Sequence, residues 1–267
     1  MPSGPLQPVT FDEFGDAIGR AATVLRANAT ASGLSAPVPT CPGWSVLDLV
    51  THVGMAHRWA ASHVRGHPID AASAQSLERQ GRDHPDVLGW FDDGATALLQ
   101  ALVDAPEDLD VFVFLKNAPS PRRFWTRRMA HEPTIHAVDA LSARLGRAPR
   151  PDETSFPAVL AADGIDELVR GFVPRRREGL HPDVETRLLV RPDGGGAAWL
   201  MELGPDHPVR STLLESHDAA DVDADHVLTG TTVDLYLRLW SRAAEVPADP
   251  AHSAERWWRE HVSVRWA

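Results

Sequence analysis

The sequence has little of several features that common protein classes need. It contains one cysteine in 267 residues, which excludes a disulfide framework within the chain and a structural zinc site built from cysteines. No apolar run approaches the roughly 18 residues that span a bilayer. The residues after Met1 have neither the charged segment nor the apolar segment of a secretion signal. We therefore expect a cytoplasmic protein that does not span a membrane.

Positive charge is also scarce. There are 26 Lys and Arg residues against 37 Asp and Glu, which gives a formal net charge of −11. This balance argues against nucleic acid as a partner, because neutralising phosphates needs a basic surface. The hydrophobic content of 43% and charged content of 24% are those of a globular protein. The length suffices for one large domain or two ordinary ones.

The hydrophobic spacing changes along the chain, and this change predicts an α+β protein. Up to the charged break Pro174–Gly179, apolar residues recur every three or four positions, as in amphipathic helices. Predicted helices cover residues 10–30, 45–65, 87–103, 122–144 and 154–173. A loop is expected at 67–86 and a short strand at 110–114. We expect a helical domain over residues 1–175.

After this break, strand and turn signals appear. Residues 186–191 and 198–203 flank a turn rich in glycine, which predicts a β-hairpin. A third strand is expected at 209–215. Residues 225–230 then lead into a helix at 231–244, and a last helix is expected at 251–261. These elements predict a small α+β domain over residues 176–267.

The stretch His131-Glu132-Pro133-Thr134-Ile135-His136 places several groups that bind metals close together. Its two histidines are five residues apart, so on a helix they point about 140° away from each other. Glu132 and His136 are four apart and point the same way. The pair that can share a ligand is therefore Glu132 with His136. Two ligands seldom hold a zinc ion, so another is expected elsewhere in the chain.

His52 is the candidate for the missing ligand. It shares a 3-4 spacing with Leu49 and Trp59 on the second predicted helix, which places it on the inward face. Taken alone, an inward histidine is more often a core residue with a hydrogen-bond partner. The ligand set His52, Glu132 and His136 would suit a divalent metal, with zinc favoured. It would also leave one coordination position open for water or substrate, as in catalytic sites.

Other residues near these motifs have alternative interpretations. His131 is predicted to lie on the surface or beside the site rather than to bind the metal, and His57 to lie off the inward face. Asp139 either orients a ligand imidazole or pairs with an arginine such as Arg128 or Arg144. Cys41, in a loop flanked by proline, is predicted to have a packing role. Pro133 removes a helix hydrogen bond at a cost of about 3 kcal/mol, so the helix either kinks there or begins anew.

Three motifs resemble the mycothiol-dependent maleylpyruvate isomerase family of actinobacteria. The first is Thr40-Cys41-Pro42-Gly43-Trp44-Ser45-Val46-Leu47-Asp48 with the residues up to Gly54, and the second runs from Arg128 to Asp139. The third runs from Gly230 to Arg242. They stand in the family's order and extend over nearly the whole chain. Two positions depart from the family pattern: Pro133 replaces a small or β-branched residue, and Ser241 stands where glycine is more usual.

The resemblance implies a DinB-like four-helix bundle that carries the metal, followed by a small α+β domain. It assigns His52, Glu132 and His136 as metal ligands, and it implies mycothiol or a similar thiol as cosubstrate. The thiolate would attack an electrophilic carbon of a small substrate such as an unsaturated carboxylate, in an isomerisation or a thiol transfer. Independently of the resemblance, Arg242 either binds a substrate carboxylate across the domain interface or is a surface residue that interacts with the dipole of a helix end. A metal-dependent hydrolase and a non-catalytic metal- or ligand-binding protein remain alternatives, and the oligomeric state is left open.

Overall fold

The described residues of the chain form two compact units. The structure, a computed structural model, describes residues 6–115, 118–175, 182–215, 217–244 and 253–262. The first unit comprises Thr10–Phe114 and Ala118–Pro149, and the second comprises the described residues from Arg150 onward, with short segments before Thr10 and at Leu115. The division therefore falls at Arg150, earlier than the sequence predicted, because the helix that begins at Ala158 belongs to the second unit. Residues 176–179 of the charged break lie outside the described residues.

The first unit is helical. Its helices are α1 Phe11–Ser32, α2 Val46–Val64, α3 Ala71–Arg82, α4 Val87–Asp104 and α5 Pro121–Leu145. The four long ones pack into a bundle, with α1 against α5 and α2 against both α4 and α5, while α3 lies on α2 and α4. The bundle confirms the predicted helical architecture.

Two predictions for this unit are wrong. Residues 71–82 form a helix rather than a loop, and residues 110–114 form no strand. Helix α3 escaped prediction because Gly81 is its only buried residue, so its sequence has no apolar stripe. Its first turn is capped instead by Asp70, whose side chain accepts a hydrogen bond from the Ser73 N–H at 2.8 Å.

Helix α2 begins at a capping box, as Ser45 and Asp48 indicate. The Asp48 carboxylate accepts a hydrogen bond from the Ser45 N–H at 2.7 Å, and the Ser45 hydroxyl accepts one from the Asp48 N–H at 3.3 Å. Together they satisfy two donors that a helix start otherwise leaves unpaired. This cap fixes the start of α2 and hence the position of His52, about two turns later.

Helix α5 continues through Pro133. It runs unbroken from Pro121 to Leu145, with Pro133 buried inside it. The alternative of a new helix beginning at Pro133 is therefore wrong, and Glu132 and His136 remain one turn apart on the same helix.

The second unit is α+β, as predicted. Its helices are α6 Ala158–Asp166, α7 Thr232–Leu239 and α8 Ser253–His261, and its strands are β1 Thr186–Pro192, β2 Ala197–Leu203, β3 Arg210–Glu215 and β4 His226–Gly230. Helix α6 passes into a π-helical turn at Glu167–Phe172. The sheet order is β3-β2-β1-β4, in which β1 pairs with β2 antiparallel and with β4 parallel. None of the described helices is long and apolar enough to cross a membrane.

Candidate metal centre

The structure brings together the three side chains that the sequence singled out. His52 comes from α2, and Glu132 and His136 come from α5. One potential ligand atom from each lies within 4.8 Å of those of the other two. The Nε2 atoms of His52 and His136 lie 3.4 Å and 3.2 Å from the same carboxylate oxygen, Oε1 of Glu132.

The Nε2 atoms of His52 and His136 are both buried, and neither has a hydrogen-bond partner among the described residues. A buried polar atom without a partner is costly and calls for an explanation such as an ion. Two imidazole nitrogens and one carboxylate oxygen converging in this way form a donor set that suits a divalent metal. The residues present therefore fit the metal centre that the sequence predicts.

Asp139 lies beside His136. Its Oδ2 is 2.8 Å from Nδ1 of His136, and both side chains are fully buried. The Thr40 hydroxyl donates to the other oxygen of Asp139 at 2.6 Å. Asp139 thus has the position of a carboxylate that orients a ligand imidazole.

Arg128, which the sequence offered only as a possible partner of Asp139, pairs with Glu132. Its guanidinium forms an ion pair with Oε2 of Glu132, and its side chain is 2% exposed. The i,i+4 spacing of Arg128 and Glu132 was a signal that could have identified this pair. Burial alone would raise the pKa of Glu132, but Arg128 and then the two imidazoles outweigh it and hold that pKa well below its usual value.

The pKa of His136 is shifted upward, whereas that of Glu132 is shifted downward. Burial alone would lower the pKa of His136, but its contacts with the Asp139 and Glu132 carboxylates raise it above the ordinary value. Acidic groups thus surround an imidazole with no exposed surface. The site is arranged to favour positive charge at its centre.

Trp44 and Cys41 adjoin the site through the loop before α2. The Trp44 ring stacks on His136 with an interplanar angle of 14° and meets His52 edge-on, with ring centroids 5.1 Å apart. Cys41 packs against the core of the bundle, as predicted, but it also forms a second group with His136 and Asp139. This proximity of Cys41 to the site was not predicted, because a loop position does not reveal the direction of its side chain.

The other histidines of these motifs lie outside the cluster. His131 is 1% exposed and packs edge-on against Phe14 of α1, so the expectation of a surface position is wrong. His57 is fully buried against Phe91 of α4, so it does face inward, contrary to prediction. Neither belongs to a group of three potential ligands among the described residues.

Arg242 lies in the second unit. It is 4% exposed, and its guanidinium donates to the Trp240 carbonyl oxygen at 2.8 Å. Its backbone N–H closes the end of α7 by donating to the Leu237 carbonyl at 2.7 Å. Its predicted contact with a substrate carboxylate stays a prediction.

The fold and the site together define a class of protein: a helical bundle with an inward cluster of two histidines and one carboxylate, followed in the chain by a small α+β unit. Residues 15–141 match the family model of the mycothiol maleylpyruvate isomerase N-terminal domain. This match confirms the resemblance found in the motifs for that part of the chain.

Two solved structures are similar to this chain in fold. They are the mycothiol-dependent maleylpyruvate isomerase and a histidine-to-alanine mutant of it. Each is 15% identical in sequence, with a TM-score of 0.61, and each match covers 91% of this chain and 97% of that chain. At this identity the likeness establishes the fold. No curated protein gives a significant sequence match.

Proposed function

We propose that this protein is a metal-dependent enzyme that uses a low-molecular-weight thiol, mycothiol or a similar one, to isomerise or thiolate a small electrophilic substrate. The observation that carries the proposal is the convergence of the His52 and His136 Nε2 atoms on Oε1 of Glu132. An unsaturated carboxylate is the substrate class that the family resemblance favours.

His52, Glu132 and His136 would hold the ion, which we propose to be Zn²⁺. Such an ion supplies a positive charge that stabilises a thiolate at neutral pH. The chain's own residues prepare this centre. Asp139 keeps the proton of His136 on Nδ1, so that Nε2 presents its lone pair, and Thr40 holds Asp139 by a hydrogen bond of 2.6 Å.

The attacking thiol would be external. Cys41 is the only cysteine of the chain and packs against the bundle core, so we do not assign it as the nucleophile. Addition of an external thiolate to the substrate's double bond would leave a single bond about which the carbon skeleton can rotate. Loss of the thiolate after rotation re-forms the double bond and gives an isomer, whereas protonation of the adduct's carbanion by solvent gives a thioether that is released. Arg242 remains our candidate for a contact with the substrate carboxylate.

Turnover measured with and without thiol tests this function. Zinc-loaded protein is incubated with a cis-unsaturated dicarboxylate such as maleylpyruvate, alone and with mycothiol. We expect a change in the substrate's ultraviolet absorbance only when thiol is present, and none with the His52→Ala variant. Thiol-independent hydrolysis of an ester or amide would favour the hydrolase alternative. Zinc-loaded protein with no thiol-dependent reaction on such electrophiles would contradict the proposal and favour a non-catalytic role.

A matched control variant shows whether removing any histidine lowers the activity. His67 lies on the surface between α2 and α3, where it is exposed. The His67→Ala variant is expected to react at the rate of the unmodified protein. A similar loss in both variants would show that the effect of His52→Ala is not specific to the cluster.

A further inference from the structure

Arg128 is a buried cation that the proposed reaction does not use directly. It lies on α5 one turn before Glu132, and its side chain is 2% exposed. Arginine is almost never fully buried unless it is paired. It forms an ion pair with Glu132, a candidate metal ligand, so the charge of Arg128 bears on the metal centre.

The two oxygens of Glu132 face different groups. Oε2 forms the ion pair with Arg128, whereas Oε1 faces the Nε2 atoms of His52 and His136 at 3.4 Å and 3.2 Å. A carboxylate held in this way offers one oxygen to an ion at the centre, because the other is already bound by the guanidinium. The orientation of Glu132 is thus set by Arg128 as well as by its own helix.

We propose that Arg128 is a positioning residue that limits Glu132 to one ligand oxygen and cancels its charge, so that the metal centre selects an anionic fourth ligand. This inference rests on the proposed function, because it needs an ion at the same three residues. Beyond that function, the inference names the class of ligand that the open coordination position accepts: a thiolate or another anion in preference to a neutral donor.

The charges of the named side chains support this selection. Glu132 and Asp139 are acidic and Arg128 is basic, so together they carry one net negative charge, and a divalent ion makes the centre positive. Without the guanidinium the same centre would be neutral. In a buried site a unit charge several ångströms away changes the binding of an anion by on the order of tenfold or more.

Binding of small probes to the Co²⁺-loaded protein tests the inference without relying on activity. Thiocyanate serves as the anionic probe and imidazole as the neutral one, and the visible spectrum of Co²⁺ reports the binding of each. The measured quantity is the ratio of the two affinities. Comparing this ratio between variants cancels the intrinsic preference of Co²⁺ for either probe. Arg128→Gln removes the charge, and Arg128→Lys keeps it. Arg128→Met replaces the glutamine variant if circular dichroism shows that the latter does not fold.

We expect the ratio of thiocyanate to imidazole affinity to fall about tenfold in Arg128→Gln or Arg128→Met and to stay within about threefold in Arg128→Lys. An unchanged ratio in the uncharged variants would overturn the inference, as would an equal fall in the lysine variant. Unmodified protein that binds no Co²⁺ would instead overturn the proposed function, so the two failures are distinguishable.

Discussion

The Nδ1 atom of His136 lies 2.8 Å from Oδ2 of Asp139, and this contact decides which ring nitrogen of His136 faces the cluster. A carboxylate accepts a hydrogen bond, so the proton of a neutral imidazole belongs on Nδ1. Nε2 then carries the lone pair, and it is the atom that lies 3.2 Å from Glu132. Asp139 thereby prepares His136 to act as a ligand.

Replacing Asp139 with asparagine should weaken metal binding. The amide can also present its N–H₂ group to Nδ1, which favours the tautomer with the proton on Nε2. We expect Asp139→Asn to lower zinc affinity by about 10- to 100-fold, as measured by competition with a chromophoric chelator. Arg150→Gln, which changes a surface residue, is the control and should bind zinc normally. Normal affinity in Asp139→Asn would show that Asp139 has only a structural role.

Replacing Ser241 with glycine should stabilise the second unit. Ser241 has φ of 60°, which is the left-handed region, and it follows the last turn of α7. The Ser241 N–H donates to the Arg238 carbonyl, and the Arg242 N–H donates to the Leu237 carbonyl, which together form a Schellman motif. Glycine adopts this conformation without the steric cost of a side chain, so we expect Ser241→Gly to raise stability by about 1 kcal/mol.

Thermal unfolding followed by circular dichroism checks this effect. Ser241→Ala keeps a β-carbon at the same position and is the matched control, with no comparable gain expected. A glycine variant no more stable than Ser241→Ala would contradict the strain that we assign to Ser241.

Gly54 should not tolerate a side chain. It lies two residues after His52 on α2, and a β-carbon there would lie 2.3 Å from the Trp90 ring of α4. The Arg58 guanidinium covers the same ring at 3.8 Å, which limits how far it can shift. We expect Gly54→Ala to lower the free energy of unfolding by about 1 to 3 kcal/mol in urea denaturation. Gly15→Ala is the control, because that α1 position is open and alanine should add up to about 1 kcal/mol. An unaffected Gly54→Ala variant would contradict this packing.

His57 should make the bundle less stable in mild acid. Burial lowers the pKa of His57 to about 3, with a further lowering by Arg58 that Glu132 partly opposes. The unfolded histidine has a pKa of about 6.5, so between pH 6.5 and 3 the unfolded state binds the extra proton. Stability from this group is therefore complete above pH 6.5 and falls as the pH drops through that window, by about 2 kcal/mol at pH 5.

The His57→Leu variant tests this linkage. Neither ring nitrogen of His57 has a hydrogen-bond partner among the described residues, so leucine should be accommodated. The free energy of unfolding, measured by urea denaturation, should fall between pH 7 and pH 5 by about 2 kcal/mol less in His57→Leu than in the unmodified protein. Val53→Ala, which removes buried apolar atoms but no titratable group, should keep the full pH dependence. An unchanged difference in His57→Leu would contradict the buried neutral state.

The sequence predicted those parts of the site that follow helical periodicity. Glu132 and His136 share a face because they are four residues apart, and His52 follows the inward stripe of its own helix. Contacts between distant parts of the chain were not predictable in this way. The bond from Thr40 to Asp139 joins residues 99 positions apart, and the stacking of Trp44 on His136 depends on a loop whose path no periodicity encodes.

The errors in the predicted fold also arise from contacts that no local pattern encodes. Helix α3 is held by its cap and by the fit of Gly81 against the Trp90 ring, neither of which leaves an apolar pattern. Residues 110–114 alternate like a strand, yet Phe114 packs against Trp59 and Trp125 with ring centroids about 6 Å apart. Aromatic packing in the helical unit thus overrides a local preference for strand.

The most direct test of the central claim is the zinc stoichiometry of the purified protein after equilibrium dialysis, measured by inductively coupled plasma mass spectrometry. The convergence of His52, Glu132 and His136 predicts about one ion per chain in the unmodified protein and in the buried control His131→Gln. It predicts little or none in His52→Ala, Glu132→Ala and His136→Ala. Zinc bound equally well by these three variants, or not bound by the unmodified protein, would contradict a metal centre at these residues.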